Sequence, residues 1–411
     1  MDVSFTTEVK LVSQGANNVN LMALRPATGV PVARLFANAK QKLALKIGTA
    51  TPLVSKTFLS KNVWHNLRLQ VHVAGSTSQT EVWLDGAPIS ALRTTASLGT
   101  APVTKVEIGD SLKNRAFTVR FDDVSVQEVT TNDPVIAAAG DIACVPGATV
   151  TASTCRQMAT SDLLVNRSLA RVLTLGDNQY NNASLYDFTN SYDPSWGRVK
   201  GITSPSVGNH EYLTVDAAGY FDYFGTAAGD RTKGYYSFDV GNWHLIALNS
   251  NCAVLADRFG DGCAEGTLQN DWLEDDLLTH QGTTCTLAYW HHPRFSSGGH
   301  GDSVDVKPFW DDLYAGGADV VLSGHSHNYE RFAPMDPEGA ADTTSGIREF
   351  VVGTGGKSHV VTTTPPRATS EVLNFDTFGV LELTLHPDSY DWNFAAESGA
   401  TFTDSGSGTC H

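Results

Sequence analysis

The chain of 411 residues is 41% hydrophobic and 9% aromatic, an ordinary globular composition, and its length suits two domains with separate cores. No apolar run approaches the roughly 18 residues needed to cross a bilayer, so no membrane-spanning helix is expected. The net charge of −16 is uneven: residues 1–130 hold 14 Lys and Arg against 9 Asp and Glu, and the remainder holds 14 against 35. So acidic a second part repels nucleic acid unless bound cations compensate; no nucleic-acid partner is expected, and a metal is hinted at.

The first 130 residues read as short strands and turns. In NLRLQVHV (66–73) Leu67, Leu69, Val71 and Val73 fall on one face and Asn66, Arg68, Gln70 and His72 on the other. EVWLDGAPI (81–89) is a strand followed by an Asp-Gly turn, and TKVEIGD and FTVRFDDVSVQEV continue the series. The pattern predicts an all-β, jelly-roll-like sandwich domain over residues 1–130. The stretch VWHNLRLQVHV…TEVWLDGAPI…VEIGD…FDDVSV resembles laminin-G-like or concanavalin-like modules, which implies a carbohydrate or cell-surface ligand, with a purely structural role as the alternative. It begins late for such a module, so a first strand or two are expected to be missing.

TTNDP (130–134) is turn-rich and marks a linker at 131–134. From 135 to 411 the pattern changes to apolar runs that each end in a polar cluster: VIAAAGD (135–141), ARVLTLGD (170–177), CTLAYWHH (285–292) and ADVVLSGH (318–325). Between them SDLLVNRSLA and TLQNDWLEDDLLTHQ read as helical, the latter with Leu268, Trp272, Leu273 and Leu277 inward. Pro308 opens a further helix, PFWDDLYAGG, closed by glycine. GYYSFDVGNWHLIALNSN and FGVLELTLHPDSYDWNF add antiparallel strands. The fold class expected is α/β, sheets flanked by helices, with the ligand site beyond the carboxyl ends of the strands.

All six cysteines lie in this second part and none form CxxC, which argues against thiolate zinc clusters and thioredoxin-like chemistry. Local closure pairs Cys144 with Cys155 and Cys252 with Cys263, leaving Cys285 for Cys410. Such a framework implies an oxidising compartment, so a secreted protein is expected. MDVSFTTEVK shows no basic region followed by an apolar stretch, so a leader is expected to have been removed.

Five clusters carry the chemistry: GDIA with Asp141, GDNQY with Asp177 and Tyr180, GNHE with Asn209 and His210, YWHHPRFSSGGHGD with His291 and His300, and GHSHNYER with His325 and His327. In this order, over about residues 134–395, they resemble the calcineurin-like metallophosphoesterases, and within them the purple acid phosphatases, whose central domain is a four-layer β-sandwich flanked by helices. Most metallophosphoesterases place a His two residues after the first Asp; here Ala143 stands there, and the resemblance implies that Tyr180 supplies the missing ligand. It implies two metals bridged by Asp177: Fe(III) on Asp141, Asp177, Tyr180 and His327, and a divalent Zn, Fe or Mn on Asp177, Asn209, His291 and His325. Carboxylates and a phenolate suit a hard ion, and imidazoles with an amide oxygen suit a softer divalent one.

The implied activity is hydrolysis of a small phosphate monoester by a metal-activated hydroxide, with His210 as general acid and His300 bonding the substrate phosphate. Gly301 stands where larger members of the family have a second His, a departure that bears on substrate handling. Glu211 is expected to orient His210, His292 to be a structural neighbour, Arg294 to be solvated or to meet phosphate, and Tyr329, Glu330 and Arg331 to brace the loop. The alternatives are a phosphodiesterase or nucleotide pyrophosphatase using the same metals, and, in a different class, a glycan-binding surface protein with an inactive phosphoesterase scaffold.

Overall fold

Alternating inward and outward side chains build the first unit. In the strand His65–His72, Leu67, Leu69 and Val71 are fully buried. Val73, expected to continue that face, lies outside the described residues, which in this computed structural model are 2–27, 30–72, 78–96, 103–110, 115–129, 133–362 and 365–411. The strand pairs antiparallel with Asp2–Gln14 on one side and Ser78–Leu84 on the other. Asp85 and Gly86 both take positive φ, 52° and 81°, as a tight Asp-Gly hairpin turn requires. Two antiparallel sheets, of six and five strands, share one apolar core that includes Phe5, Leu21, Leu35, Leu45 and Leu69.

The chain divides into two compact units, Met1–Asn132 and Asp133–His411. Residues 131 and 132 of the expected linker lie outside the described residues. The second unit is a mixed α/β fold built on two sheets. In the six-stranded sheet Val135–Ala139, Leu169–Leu175 and Thr203–Ser206 run parallel, and Gly379–Leu385, Ser389–Ala396 and Ser405–Thr409 extend it antiparallel. In the seven-stranded sheet the central strands Trp243–Ala247, Cys285–Tyr289, Val320–Ser323 and Arg348–Val352 are parallel.

Each central strand is buried on both faces, which is why these segments read as unbroken apolar runs. Leu245, Leu287 and Val320 join Ile136, Leu173 and Leu381 in a core formed with the other sheet. Their neighbours Ile246, Ala288 and Val321 face the opposite way, onto Leu273, Leu277, Phe309, Trp310 and Leu313. Those five belong to the helices Leu268–Thr279 and Lys307–Ala315, both expected from the sequence.

Two helical expectations need correction. Leu268 is 62% exposed and takes no part in the core. SDLLVNRSLA is not a helix: the helix Gln157–Asp162 ends as that segment begins, Asn166 takes a left-handed φ of 60°, and Leu169 already starts a strand. Three disulfides join Cys144 to Cys155, Cys252 to Cys263 and Cys285 to Cys410, the pairing that local closure suggests.

Candidate metal centre

The five motif clusters follow the carboxyl ends of parallel strands. Asp141 lies beyond Val135–Ala139, Asp177 beyond Leu169–Leu175, and Asn209 and His210 beyond Thr203–Ser206. From the other sheet, His291 follows Cys285–Tyr289 and His325 follows Val320–Ser323. Asp141, Asp177 and His325 adopt left-handed φ of 59°, 45° and 65°. Such backbone is costly for residues with a Cβ and is held by its surroundings, here where side chains converge. Glycines allow the close approach: a Cβ at Gly208 would meet the Asp177 backbone nitrogen at 2.2 Å, and one at Gly176 the His291 ring at 2.5 Å.

Two groups of donor atoms result. In the first, the Tyr180 hydroxyl lies 2.7 Å from Asp141 Oδ1, 2.9 Å from Asp177 Oδ2 and 3.0 Å from His327 Nε2. In the second, His291 Nε2 lies 3.0 Å from Asn209 Oδ1, 3.2 Å from His325 Nδ1 and 3.4 Å from Asp177 Oδ1. Asp177 therefore has one oxygen in each group. All seven residues that the sequence singles out as ligands come together.

The arrangement fits a pair of cations. Ligand atoms about 2.1 Å from one ion sit roughly 3 Å from one another, the edge of its coordination polyhedron, and these donors are spaced in that way. Asp141 and Asp177 are 0% and 2% exposed, and among the described residues no Lys or Arg forms an ion pair with either. Two buried carboxylates with only histidines and a phenol beside them need positive charge.

Surrounding groups fix the orientation of each ring. His291 Nδ1 donates to the Leu175 carbonyl at 2.8 Å and His327 Nδ1 pairs with Ser358 Oγ at 2.9 Å, which leaves both Nε2 atoms for the centre. Burial and the neighbouring Asp141 and Asp177 push the Tyr180 phenol well above its ordinary pKa. Burial would raise Asp177, but the charge and hydrogen bond of His291 hold it far below the usual carboxylate range. Burial lowers His291, yet Asp177 outweighs it and lifts the imidazole to about 9. Burial and three neighbouring imidazoles lower His325 strongly. Metal binding displaces protons from such donors.

His210 stands at the edge of the centre, its ring 4.3 Å from that of Tyr180 and its Nε2 3.9 Å from Asp177 Oδ2. Its Nδ1 is held by the Asn181 carbonyl, not by Glu211 as the sequence suggested. Glu211 is fully buried and accepts backbone N–H groups from Asp177, Asn178, Gln179 and Gly208, stapling the two ligand loops together. The His300 ring lies 4.4 Å from that of His325 and 6.2 Å from that of His327.

His292 Nδ1 pairs with Ser250 Oγ at 2.8 Å. Arg294 is neither solvated nor aimed at the centre: it is buried over Phe295 and donates to the Pro337 carbonyl. Tyr329 and Arg331 both bind Asp404, and Glu330 accepts from Ser297 and Ser370, so all three brace the loop. Sequence reasoning missed Ser358, Glu349, which accepts the Arg294 and Phe295 N–H groups, and Asn181; the signal for Ser358 is the glycine-rich run TGGKS.

Residues 128–329 match the calcineurin-like phosphoesterase family, and the second unit carries a calcineurin-like metallophosphoesterase domain. Purple acid phosphatase 15 of Arabidopsis thaliana is 30% identical over 204 residues, 41% of this chain and 37% of that protein. Purple acid phosphatase 18 of the same plant is 31% identical over 137 residues, 31% of this chain and 28% of that protein. The matched region thus spans little more than a third of these relatives at most. In fold, the chain is similar to the purple acid phosphatase PPD1 from yellow lupin (Lupinus luteus) seeds, with a TM-score of 0.56 and 14% identity over 99% of this chain and 90% of that one.

Proposed function

We propose that residues 133–411 hydrolyse phosphate monoesters outside the cell at a two-cation centre. Asp141, Asp177, Tyr180 and His327 would hold Fe(III), for which two carboxylates and a phenolate are hard ligands, and Asp177, Asn209, His291 and His325 would hold divalent Zn, Fe or Mn. When bound, the cations supply charge for the phosphoryl oxygens and a water acidic enough to ionise near neutral pH. The observation that carries the reading is Asp177, with Oδ2 among one set of donors and Oδ1 among the other.

The remaining roles belong to the chain. With Nδ1–H of His210 donated to the Asn181 carbonyl, its Nε2 would give a proton to the leaving oxygen from the imidazolium form. His300, packed on His325, would donate to a phosphate oxygen. Glu211 keeps the Asp177 and Asn209 loops in register, so ligand spacing survives each turnover. For residues 1–130 we propose a laminin-G-like, carbohydrate-binding role. Trp64, 42% exposed with Lys10 Nζ 5.8 Å from its ring, and Trp83 under the Arg68 guanidinium offer aromatic and polar surface together.

A panel of p-nitrophenyl phosphate, its bis-ester and ATP tests the enzyme reading, with metal analysis on the same sample. Turnover of the monoester by a coloured, iron-containing protein is expected. Activity confined to the bis-ester would favour a diesterase, and a colourless enzyme with two zinc ions would remove the iron while leaving the hydrolase.

A further inference from the structure

One cation beside the centre has no anion of its own. Lys357 lies in the turn after the strand Arg348–Val352, and its backbone is fixed on both sides. Its N–H donates to the Asp141 carbonyl at 2.8 Å, and its carbonyl accepts from the Cys155 N–H at 3.1 Å. The next residue, Ser358, is the one bonded to His327. From this anchored position the side chain runs over Tyr180, placing Nζ 4.8 Å from the centroid of the ring on which His210 also packs.

Among the described residues no carboxylate lies within ion-pair distance of Lys357, whereas Lys307 is paired with Asp311 and Glu338. Only burial acts on the Lys357 ammonium, lowering its pKa, with no neighbouring acid to raise it. An aromatic face holds an ammonium in place without neutralising it. In a unit with 14 basic against 35 acidic residues, an unpaired, half-buried lysine next to a cluster of ligands is available to an incoming anion.

We propose that Lys357 is a specificity-determining residue that pairs with the outer phosphate oxygens of the substrate and makes the centre prefer monoesters to diesters. The inference rests on the hydrolase reading of residues 133–411. A monoester approaches a charge of −2 at neutral pH because its second pKa is about 6, whereas a diester carries −1. Attraction to a fixed ammonium grows with ligand charge, and lysine binds phosphate as a point charge.

The test compares the metal-loaded full chain with Lys357→Met and Lys357→Arg, after metal content and melting are shown to be unchanged. Lys357→Met is expected to lower kcat/KM for p-nitrophenyl phosphate about tenfold and for the bis-ester less than about threefold, with Lys357→Arg restoring most of the loss. Inorganic phosphate, titrated calorimetrically, should bind the Met variant about tenfold more weakly. Parallel losses on the two esters, or unchanged phosphate affinity, would overturn the assignment. Because calorimetry needs no turnover, a wild-type chain that binds phosphate through Lys357 yet hydrolyses neither ester would sink the hydrolase and keep the cation.

Discussion

In Met1–Asn132 the polar residues buried as a whole among the described residues are Ser4, Thr7, Ser55, His65, Ser78 and Thr80, beside the buried carboxylate of Asp110; in Asp133–His411 they include Asp141, Asp177, Glu211, Glu330 and Glu349. Burying an ionised carboxylate costs several kcal/mol unless it is well paired. The first unit has a continuous apolar core between its sheets and pairs its buried Asp110 carboxylate with Arg115 at 3.2 Å. In the second, the five acids just named fall into two kinds, while Asp319, Glu382 and Asp404 are ion-paired with His411, Arg167 and Arg331. Glu211, Glu330 and Glu349 accept donors from neighbouring loops and act as staples. Asp141 and Asp177 instead converge on each other through Tyr180 and the histidines. A stable sandwich does not need such groups; a cation site does.

The largest effect expected from this contrast is on stability. All six cysteines lie in the second unit, and the Cys285–Cys410 bridge closes 125 residues. Removing it with the double variant Cys285→Ser, Cys410→Ser should cost about 5 kcal/mol by chain entropy, against about 3 kcal/mol for either 11-residue bridge. Calorimetry should show the transition of residues 133–411 falling while that of residues 1–132 stays. A matching fall in the first unit would break the contrast.

Glu211→Gln sharpens the division between staples and ligands. Two of the four backbone N–H groups would then face an amide NH2 in place of an acceptor oxygen, which weakens the common anchor of the loops bearing Asp177 and Asn209. Metal affinity should fall by about 10- to 100-fold, as for other groups that orient ligands. Unchanged affinity, read by competition with a chelator, would show that the ligands hold themselves.

A smaller effect depends on pH. His244 is buried between Asp276, 2.7 Å from Nε2, and Asp239, 2.8 Å from Nδ1. Burial lowers its pKa, but the hydrogen bonds of Asp276 and Asp239 outweigh that, and the net direction is up. A raised folded-state pKa gives stability that is complete below the unfolded value of about 6.5 and is lost as pH rises through the folded one. His244→Asn should therefore cost about 2 kcal/mol near pH 6 and less at pH 9. Equal losses at both pH values would mean that packing, not charge, holds this histidine.

Much of this was legible because the informative patterns are local. An apolar run ending in Gly-Asp or Gly-His states both a strand and a turn, and buried strands need no alternation to be seen. The positions of Asp141, Asp177 and His325 were readable in that way, and the two short disulfide loops from their spacing, whereas Tyr180 and His327 were reached through the resemblance to the purple acid phosphatases. Glu211 was misread because its four partners come from two loops, a fact of tertiary structure that neighbouring residues do not encode. Lys357 and Ser358 look like ordinary loop residues until the chain brings them beside Tyr180 and His327. SDLLVNRSLA has the spacing of a helix, but Asn166 turns left-handed and the next residues join a sheet.

The central claim is that one aspartate joins two cations, and metal stoichiometry in the wild type and in Asp177→Asn tests it most directly. Two equivalents per chain in the wild type, falling below one in a folded Asp177→Asn variant, are predicted. A variant that keeps both equivalents, or a folded and active wild type that holds none, would contradict it.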